Sequence, residues 1–323
     1  MQSCVRCRII FKLLFFLFIS SFLIGLNSGN IHAQQKAQLL NFSFGAAGDW
    51  GCDKKAQNTV RNMPNKSLDL VLALGDLSYQ KNADCWFDMM SPLLNKTKIA
   101  IGDHEYHFKN SSRLKEYTDK FHLLNQYYSF DYGNVHFLGM STEIPFDKKS
   151  DQYKFVNSDL ESASKNESIH WVVVFMYEMM YSSPTFHKAN ENLRDTYHPL
   201  FDKYSVDLVL HAHSHNYQRS FPLSYNDKEP SQPFIIEKNE EQYSDPNGSI
   251  FVVTGTGGAD QHNFTGQAPF MEKQFKRFGF LDVQVIDNGT RMICAFYENR
   301  DGTDKDKFTI TKSKLSSITE PSV

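Results

Sequence analysis

The sequence has little of several features that would each indicate a particular class of protein. Its net charge is only −3 over 323 residues, and −6 without the first 33 residues, which hold three basic residues and no acid. A broad basic surface for nucleic acid is therefore not expected. There is no internal repeat and no low-complexity segment, and 41% hydrophobic and 22% charged residues are close to the globular average. This composition excludes collagen-like, coiled-coil and wholly disordered chains.

Long hydrophobic runs are equally scarce, and only one approaches the length of a membrane span. Residues 9–26 are almost entirely apolar, follow a basic stretch, and lead to Ile31-His32-Ala33, a sequence typical of a signal-peptide cleavage site. The pattern predicts that residues 1–33 are a signal peptide and that the protein is secreted. An N-terminal anchor on the outer face of the membrane is the alternative, because this run is at the short end of what crosses a bilayer. Residues 34–38 would form a linker.

Cysteine is scarce as well. Cys4 and Cys7 precede the apolar run and would leave with a cleaved peptide. Three then remain, an odd number that allows at most one internal disulfide, namely Cys52, Cys85 and Cys294. Cys52 and Cys85 each follow a strand-end motif, so they either pair on one face or are ordinary small apolar residues. Eight Asn-x-Ser/Thr sequons suit an exterior glycoprotein, at Asn41, Asn65, Asn95, Asn110, Asn166, Asn247, Asn263 and Asn288.

Apolar runs of strand length recur along the chain, and each ends in Gly, Asp or His or just before such a residue. They are Leu39–Ala47, Leu68–Leu74, Lys98–Ile101, Ile169–Met176 and Val206–Leu210. Helical patterns lie between several of them, most clearly at Ala189–Tyr204, and Tyr128–Met140 and Phe280–Tyr297 are typical of hairpins. Crossover helices together with hairpins predict an α/β fold with two packed sheets. The polar residues 224–246 are predicted to be a long surface excursion.

The residues at the ends of these runs carry the chemistry of the sequence. In an open α/β sheet, ligands bind beyond the carboxyl ends of the strands, so these residues would share one rim. They are Gly48-Asp49-Trp50-Gly51, Gly75-Asp76-Leu77-Ser78-Tyr79, Gly102-Asp103-His104-Glu105, Tyr177, and His211-Ala212-His213-Ser214-His215. Three carboxylates crowded together repel one another unless cations lie between them, so a metal site is the simplest explanation. Two cations about 3.5 to 4 Å apart are a common device for hydrolysing phosphoryl groups.

In this order the motifs resemble those of the metallophosphoesterases, the calcineurin-like phosphoesterase superfamily, and especially its purple acid phosphatase branch. That signature is Gly-Asp-x-Gly, Gly-Asp-x-x-Tyr, Gly-Asn-His-Glu, a Val-x-x-His strand end and Gly-His-x-His. The resemblance implies a four-layer αββα sandwich of two mixed β-sheets flanked by helices, with residues 39–312 as the catalytic domain and 313–323 as a tail. It also implies a metal-dependent phosphoric ester hydrolase, an acid phosphatase-like enzyme that cleaves phosphomonoesters with a metal-activated hydroxide at a dinuclear centre.

The resemblance further implies a role for each position. Asp49, Tyr79 and His215 would hold the first metal ion, Asp76 would bridge, and Asp103, Tyr177 and His213 would surround the second. The first ion would be Fe(III), coloured by the tyrosinate at Tyr79, and the second would be iron, zinc or manganese. His104 would contact the phosphate, and His187 would either protonate the leaving group or be a solvated loop histidine. The expected partner is a small phosphorylated substrate, with no nucleic acid and with membrane contact only through the N-terminal anchor.

Three positions depart from the family pattern. The neutral Asn is Asp103, the neutral His is Tyr177, and the Gly before the last histidine pair is Ala212. If Asp103 and Tyr177 both bind as anions, the second site favours a harder or more charged ion. If Tyr177 keeps its proton, as a phenol of ordinary pKa does, the second ion loses a ligand. A non-catalytic metal-binding relative is therefore one alternative. A phosphodiesterase or nucleotide hydrolase is another, because the motifs do not set the shape of the cleft.

Other polar residues are expected to serve the structure. His136, inside the strand Val135-His136-Phe137-Leu138, is predicted to be a satisfied structural histidine. Gly255-Thr256-Gly257-Gly258 lacks the Lys and the Ser/Thr of a P-loop and is predicted to be a tight turn that lines the cleft. Tyr217 and Arg219 are predicted to buttress the histidine pair. The Lys/Asp-rich residues 301–314 are predicted to be a solvated terminal segment.

Overall fold

The computed structural model describes residues 41–106 and 112–313. Within them the strands are β1 (Phe42–Ala47), β2 (Leu70–Ala73), β3 (Thr97–Ile99), β4 (Tyr128–Tyr132), β5 (Val135–Gly139), β6 (Trp171–Phe175), β7 (Leu208–His211), β8 (Tyr217–Ser224), β9 (Phe234–Ile235), β10 (Gln242–Ser244), β11 (Ser249–Thr254), β12 (Met271–Phe275), β13 (Gly279–Ile286), β14 (Arg291–Glu298) and β15 (Asp304–Thr311). The α-helices are α1 (Lys54–Asn62), α2 (Asp84–Met90), α3 (Asp103–Tyr106), α4 (Arg113–Lys120), α5 (Asp151–Ser164) and α6 (Glu191–Lys203).

The strands form two mixed sheets. One has the order β10-β15-β14-β13-β1-β2-β3, in which β1, β2 and β3 are parallel. The other has the order β12-β8-β11-β7-β6-β5-β4, in which β5, β6, β7 and β11 are parallel and β9 pairs with β8. Helices α1, α5 and α6 connect consecutive parallel strands, so the carboxyl ends of the strands in each parallel set lie at one edge of their sheet.

Alternating side chains on the strands build a layered core. Phe44 of β1 packs in one cluster with Val173 of β6, so this cluster fills the space between the two sheets. Val71 of β2 points to the opposite face and packs with Trp86 of α2. On the outer face of the second sheet, other buried residues pack against α5 and α6. Each such buried side chain contributes about 1.5–3 kcal/mol. The result is the predicted four-layer αββα sandwich.

Local sequence signals explain where several elements begin and turn. Helix α6 starts after Asn190, whose side chain accepts a hydrogen bond from the backbone N–H of Leu193 at 3.0 Å. The predicted helix is thus present and slightly shorter than expected. The turn between β4 and β5 has Gly133 at φ 61°, and the turn between β13 and β14 has Gly289 at φ 79°. Both predicted hairpins are present, with glycine where the left-handed backbone requires it.

The prediction for residues 301–314 was wrong. Most of this segment is β15, which pairs with β14 and buries Phe308 and Ile310 in the core. Asp306 is also buried, where it accepts hydrogen bonds from Arg219 Nε at 2.6 Å and from Tyr217 Oη at 2.8 Å. Lysine and aspartate at the other positions of β15 obscured its alternation. Arg219 and Tyr217 consequently join the two sheets through Asp306.

The polar excursion at residues 224–246 contains short strands as well as loops. Its segments β9 and β10 pair with β8 and β15 at the edges of the two sheets. Every helix among the described residues is too short or too polar to span a membrane. The predicted signal peptide or anchor at residues 1–33 and the linker lie outside the described residues.

Candidate metal centre

The polar strand-end residues meet at one edge of the sandwich. The loops that carry them leave β1, β2 and β3 in the first sheet and β6 and β7 in the second. In chain order the loops bring Asp49, Asp76 with Tyr79, Asp103 with His104, Tyr177, and His213 with His215. The sequence predicts this convergence, because the carboxyl ends of parallel strands share one edge of a sheet.

The backbone of these loops is held in an uncommon conformation. Asp49, Asp76 and His213 have φ angles of 55°, 48° and 67°, in the left-handed region that disfavours residues other than glycine. Such a conformation costs about 1–3 kcal/mol per residue and persists only where the surroundings impose it. Here the backbone N–H of Asp49 donates to the carbonyl of Gly75 at 3.1 Å, and that of Trp50 donates to the carbonyl of Asp76 at 2.9 Å. The first two loops therefore fix each other.

Two glycines allow the loops to approach closely. A Cβ atom at Gly48 would lie 2.3 Å from the Cβ of Ala212, and one at Gly255 would lie 2.2 Å from Asp49 Oδ2. No real side chain tolerates these distances, so both positions require glycine. Gly255 opens the Gly255-Thr256-Gly257-Gly258 turn, which therefore lies against the carboxylate of Asp49 as the predicted lining of the site.

Asp49, Tyr79 and His215 form a compact set of donor atoms, which we call the Asp49 triad. Tyr79 Oη lies 3.4 Å from Asp49 Oδ1 and 3.2 Å from His215 Nε2, and the third edge, from His215 Nε2 to Asp49 Oδ1, is 3.5 Å. A point equidistant from these three atoms is about 2 Å from each, which is the bond length from a cation to oxygen or nitrogen ligands. The spacing of the Asp49 triad therefore fits a single metal ion.

The imidazole of His215 is oriented for this role. Its Nδ1 lies 2.7 Å from the backbone carbonyl of Asp260, which can only accept, so Nδ1 donates and Nε2 faces the Asp49 triad. Burial lowers the pKa of His215, but the carboxylate of Asp49, the carbonyl of Asp260 and the carboxylate of Asp103 together offset this effect and raise the pKa above its ordinary value. The same negative potential that favours a proton on Nε2 favours a metal ion at that position.

A second set of site residues is centred on the hydroxyl of Tyr177, and we call it the Tyr177 group. The phenol oxygen lies 2.7 Å from Asp76 Oδ2, 3.1 Å from Asp103 Oδ1 and 2.8 Å from His213 Nδ1. These are hydrogen-bond distances to one common oxygen. The residues that the sequence resemblance assigns to a second ion are thus brought together, and they contact the phenol directly.

A sequence model of one family, described as calcineurin-like phosphoesterase, matches residues 31–217. The match covers more than half of the chain, including both sets of site residues. The chain belongs to the calcineurin-like phosphoesterase family. Its relatives confirm the predicted resemblance to purple acid phosphatases.

Two curated relatives and one solved structure illustrate this likeness. The chain is 28% identical over 284 residues to purple acid phosphatase 22 of Arabidopsis thaliana, which covers 80% of this chain and 60% of that protein. It is 27% identical over 288 residues to acid phosphatase type 7 of Homo sapiens, which covers 79% and 64%. A purple acid phosphatase from yellow lupin (Lupinus luteus) seeds has the same fold, with a TM-score of 0.73 and 21% identity over 86% of this chain and 55% of that one. This calcineurin-like phosphoesterase thus spans about 60% of the length of its first curated relative.

The donor atoms of this calcineurin-like phosphoesterase also have the chemistry of a cation site. Asp49 Oδ2 is buried and has no hydrogen-bond partner among the described residues. Burial, and then the carboxylates of Glu105, Asp49 and Asp103, raise the pKa of Asp76 well above its ordinary value. Asp76, Asp103 and His104 each offer one ligand atom, all within 4.8 Å of one another. A bound cation would reduce the repulsion between the carboxylates, and it would give Asp49 Oδ2 a partner.

Two predicted histidines also lie at the site. The backbone N–H of His104 donates to Asp76 Oδ1 at 3.0 Å, and its ring lies 4.3 Å from the ring of Tyr79. The ring of His187 lies 3.9 Å from that of His213. Burial lowers the pKa of His104, and burial together with His213 lowers the pKa of His187 to about 4, so both imidazoles are neutral near pH 7. Their positions agree with the sequence prediction, and their roles stay predictions.

His262 is a site residue that no motif indicates. Its ring stacks on that of His215, with centroids 4.0 Å apart and an interplanar angle of 12°, and it lies 5.0 Å from the ring of His187. Its Nδ1 accepts a hydrogen bond from the backbone N–H of His215 at 3.2 Å. The available signal was its place four residues after Gly258, the end of the turn predicted to line the cleft.

Two further contacts hold the loops around the site. The buried carboxylate of Glu105 accepts from the backbone N–H groups of Leu77 and Gly102, each at 3.0 Å, and so joins the loops after β2 and β3. Burial raises the pKa of Glu105 to about 8.

Cys52 and Cys85 form a disulfide, which is the first of the two alternatives that the sequence left open. The disulfide links the loop after β1 to the start of α2.

Proposed function

We propose that this protein is an exported metal-dependent phosphatase that hydrolyses phosphomonoesters. The Asp49 triad carries the proposal, because its three donor atoms surround a point at metal-ligand distance from each. Membership of the calcineurin-like phosphoesterase family and the acid phosphatase names of the relatives support this reaction class. The Asp49 triad and the Tyr177 group both lie within residues 31–217, which the family model matches.

The residues around the Asp49 triad suit the handling of a phosphate ester. A cation bound there would polarise a phosphate oxygen and lower the pKa of a water molecule. The imidazole of His104, beside Tyr79 and Asp76, would donate a hydrogen bond to a phosphate oxygen and stabilise charge that develops on it. His187 would orient the leaving group and donate a hydrogen bond to its oxygen. His262 would keep His215 in place by stacking on its ring.

A comparison of one monoester and one diester tests the proposal. Metal-loaded protein should hydrolyse p-nitrophenyl phosphate faster than bis(p-nitrophenyl) phosphate. Asp49→Asn should lower metal affinity, and turnover with it, at least about 100-fold, because it weakens a direct ligand. His170→Ala, at the amino end of β6 and thus away from the site, is the control and should retain activity.

The outcomes separate the remaining alternatives. Preference for the diester would assign a phosphodiesterase or nucleotide hydrolase instead. Metal-loaded protein that hydrolyses neither ester would refute the proposed phosphatase activity. It would favour the second candidate, a metal-binding protein without catalysis, which the neutral hydroxyl at the centre of the Tyr177 group specifically supports.

Export is proposed from three observations. Residues 9–26 have the pattern of a signal peptide, and the Cys52–Cys85 disulfide suits an oxidising compartment. The acceptor asparagines of the sequons within the described residues are all exposed. Expression through a secretory pathway should give a glycosylated product that begins near Gln34, as shown by glycosidase digestion and N-terminal sequencing. An unglycosylated product retained in the cytosol with free thiols would refute export.

A further inference from the structure

The hydroxyl of Tyr177 lies where the family resemblance implies a second cation. Its oxygen contacts Asp76 Oδ2 at 2.7 Å, Asp103 Oδ1 at 3.1 Å and His213 Nδ1 at 2.8 Å. Only 1% of the tyrosine surface is exposed. One buried oxygen is therefore the shared partner of the three atoms that would otherwise bind that cation.

The number of hydrogens available shows how this group is arranged. The single O–H of Tyr177 donates to Asp76 Oδ2, the nearer of its two carboxyl partners. That hydrogen is then committed, and the contact with His213 requires its Nδ1–H to donate to the phenol oxygen. In this arrangement His213 Nδ1 has no lone pair for a metal ion. The phenol thus satisfies Asp76 and occupies His213 by hydrogen bonding alone.

The space among Asp76, Asp103 and His213 also argues against a second cation. A cation bonded to Asp76, Asp103 and His213 would lie about 2.0–2.2 Å from each of them. The phenol oxygen already lies within 2.7–3.1 Å of the same three atoms, at the centre of the group. An ion at the centre of this group would have to take the phenol oxygen as a ligand and break its hydrogen bond to Asp76. The Asp49 triad differs, since its shortest edge is 3.2 Å, longer than each of the three contacts of the Tyr177 oxygen.

We propose that the hydroxyl of Tyr177 takes the place of the second cation, and that this chain binds one metal ion, at the Asp49 triad with Asp76 beside it. This differs from the dinuclear centre that the resemblance to purple acid phosphatases implies. The inference rests on the proposed function in one respect, that the Asp49 triad binds a cation.

Counting ions on the full-length protein tests the inference without any substrate. Stripped protein would be titrated with Mn²⁺, and bound metal measured by elemental analysis and by electron paramagnetic resonance. We expect one Mn²⁺ per chain with the spectrum of an isolated ion. In Tyr177→His the count should double, and the isolated-ion signal should fall as the two ions couple. Tyr181→Phe is the control, because Tyr181 is another buried tyrosine, hydrogen-bonded to His198 at 2.7 Å, and it should leave the count at one.

Each result has a distinct meaning. Two ions in the unaltered protein would overturn the inference and leave the proposed hydrolase standing. One isolated ion together with an absence of turnover would support the inference and overturn the hydrolase. A folded Tyr177→His protein that still binds one ion would also overturn the inference, because the hydroxyl would then not be what excludes the second. If that variant fails to fold, the count and spectrum of the unaltered protein decide. No ion at all would overturn both proposals.

Discussion

Two tyrosines at the same edge of the sandwich have similar neighbours but different distances to them. Tyr79 and Tyr177 each lie among aspartates and a histidine, and burial with nearby carboxylates raises the pKa of both phenols. Tyr79 Oη has no neighbour closer than 3.2 Å in the Asp49 triad, whereas Tyr177 Oη is hydrogen-bonded at 2.7 Å. Donor atoms that stand apart around a common point leave room for a cation there, while donor atoms that contact one hydroxyl already have a hydrogen-bond partner.

The backbone explains why the two phenols differ. Tyr177 follows β6 directly, and its ring lies against the glycines of two neighbouring loops. A Cβ at Gly75 would lie 2.7 Å from Tyr177 Cδ2, and one at Gly102 would lie 3.1 Å from it. These glycines admit the ring and hold its hydroxyl at the carboxylates. Tyr79 lies farther from its strand, in the loop of residues 74–83 after β2, and it meets His215 from the second sheet.

The largest expected effect comes from comparing the two histidines of the β7 loop. His215→Ala removes a member of the Asp49 triad and should weaken Mn²⁺ binding by at least about 100-fold. His213→Ala removes only a partner of the Tyr177 hydroxyl and should weaken binding less than about tenfold. Isothermal titration calorimetry of both variants measures the difference. Equal losses of Mn²⁺ affinity would mean that the Asp49 triad and the Tyr177 group do not differ in metal binding.

Removing the disulfide should affect the loops that carry the Asp49 triad. The double variant Cys52→Ala with Cys85→Ala should lose about 3 kcal/mol of unfolding free energy, because the crosslink joins residues 33 apart in sequence. Urea titration measures this, and adding reductant should lower the midpoint of the unaltered protein but not that of the double variant. In protein that begins at Gln34, three titratable thiols after unfolding without reductant would show that the crosslink is absent, because an intact crosslink leaves only the thiol of Cys294.

The stability of the metal-free protein distinguishes the two phenols directly. Tyr177→Phe leaves Asp76 without its closest donor, and it should cost about 1–3 kcal/mol, as for other buried acceptors left unpaired. Tyr79→Phe removes contacts of 3.2 and 3.4 Å and should cost less than about 1 kcal/mol. Urea unfolding under chelating conditions measures both. A larger loss for Tyr79→Phe would reverse the assignment of the two tyrosines.

The smallest expected effect concerns His262, which acts through His215. His262→Ala removes both the stacked ring and the acceptor for the His215 backbone, and should weaken Mn²⁺ binding by about tenfold. His262→Phe keeps a ring but lacks the acceptor, and it should recover part of the loss. If both variants bind Mn²⁺ as the unaltered protein does, His262 does not position His215.

Much of the fold was predictable because its signals are local. Apolar runs that end in Gly-Asp or in a histidine pair indicate buried strands and the loops that follow them, and the helix at 189–204 was found within two residues of each end. The strand at residues 304–311 was missed because its burial depends on Arg219, which pairs with Asp306 from 87 positions away. A charged residue buried by a distant partner resembles a solvated one in the sequence.

The sequence by itself determined that the strand-end side chains reach the site, because the carboxyl ends of parallel strands lie at one edge of a sheet. It also determined that Asp103 and Tyr177 stand where neutral ligands are usual. Tertiary structure alone decided which atoms those two residues contact. Whether a phenol oxygen stands apart from its neighbours or touches them is a matter of a few tenths of an ångström, set by the glycine backbones of Gly75 and Gly102 and by the packing of two sheets. The stacking of His262 on His215 likewise depends on a loop distant in sequence, whose path only the folded chain defines.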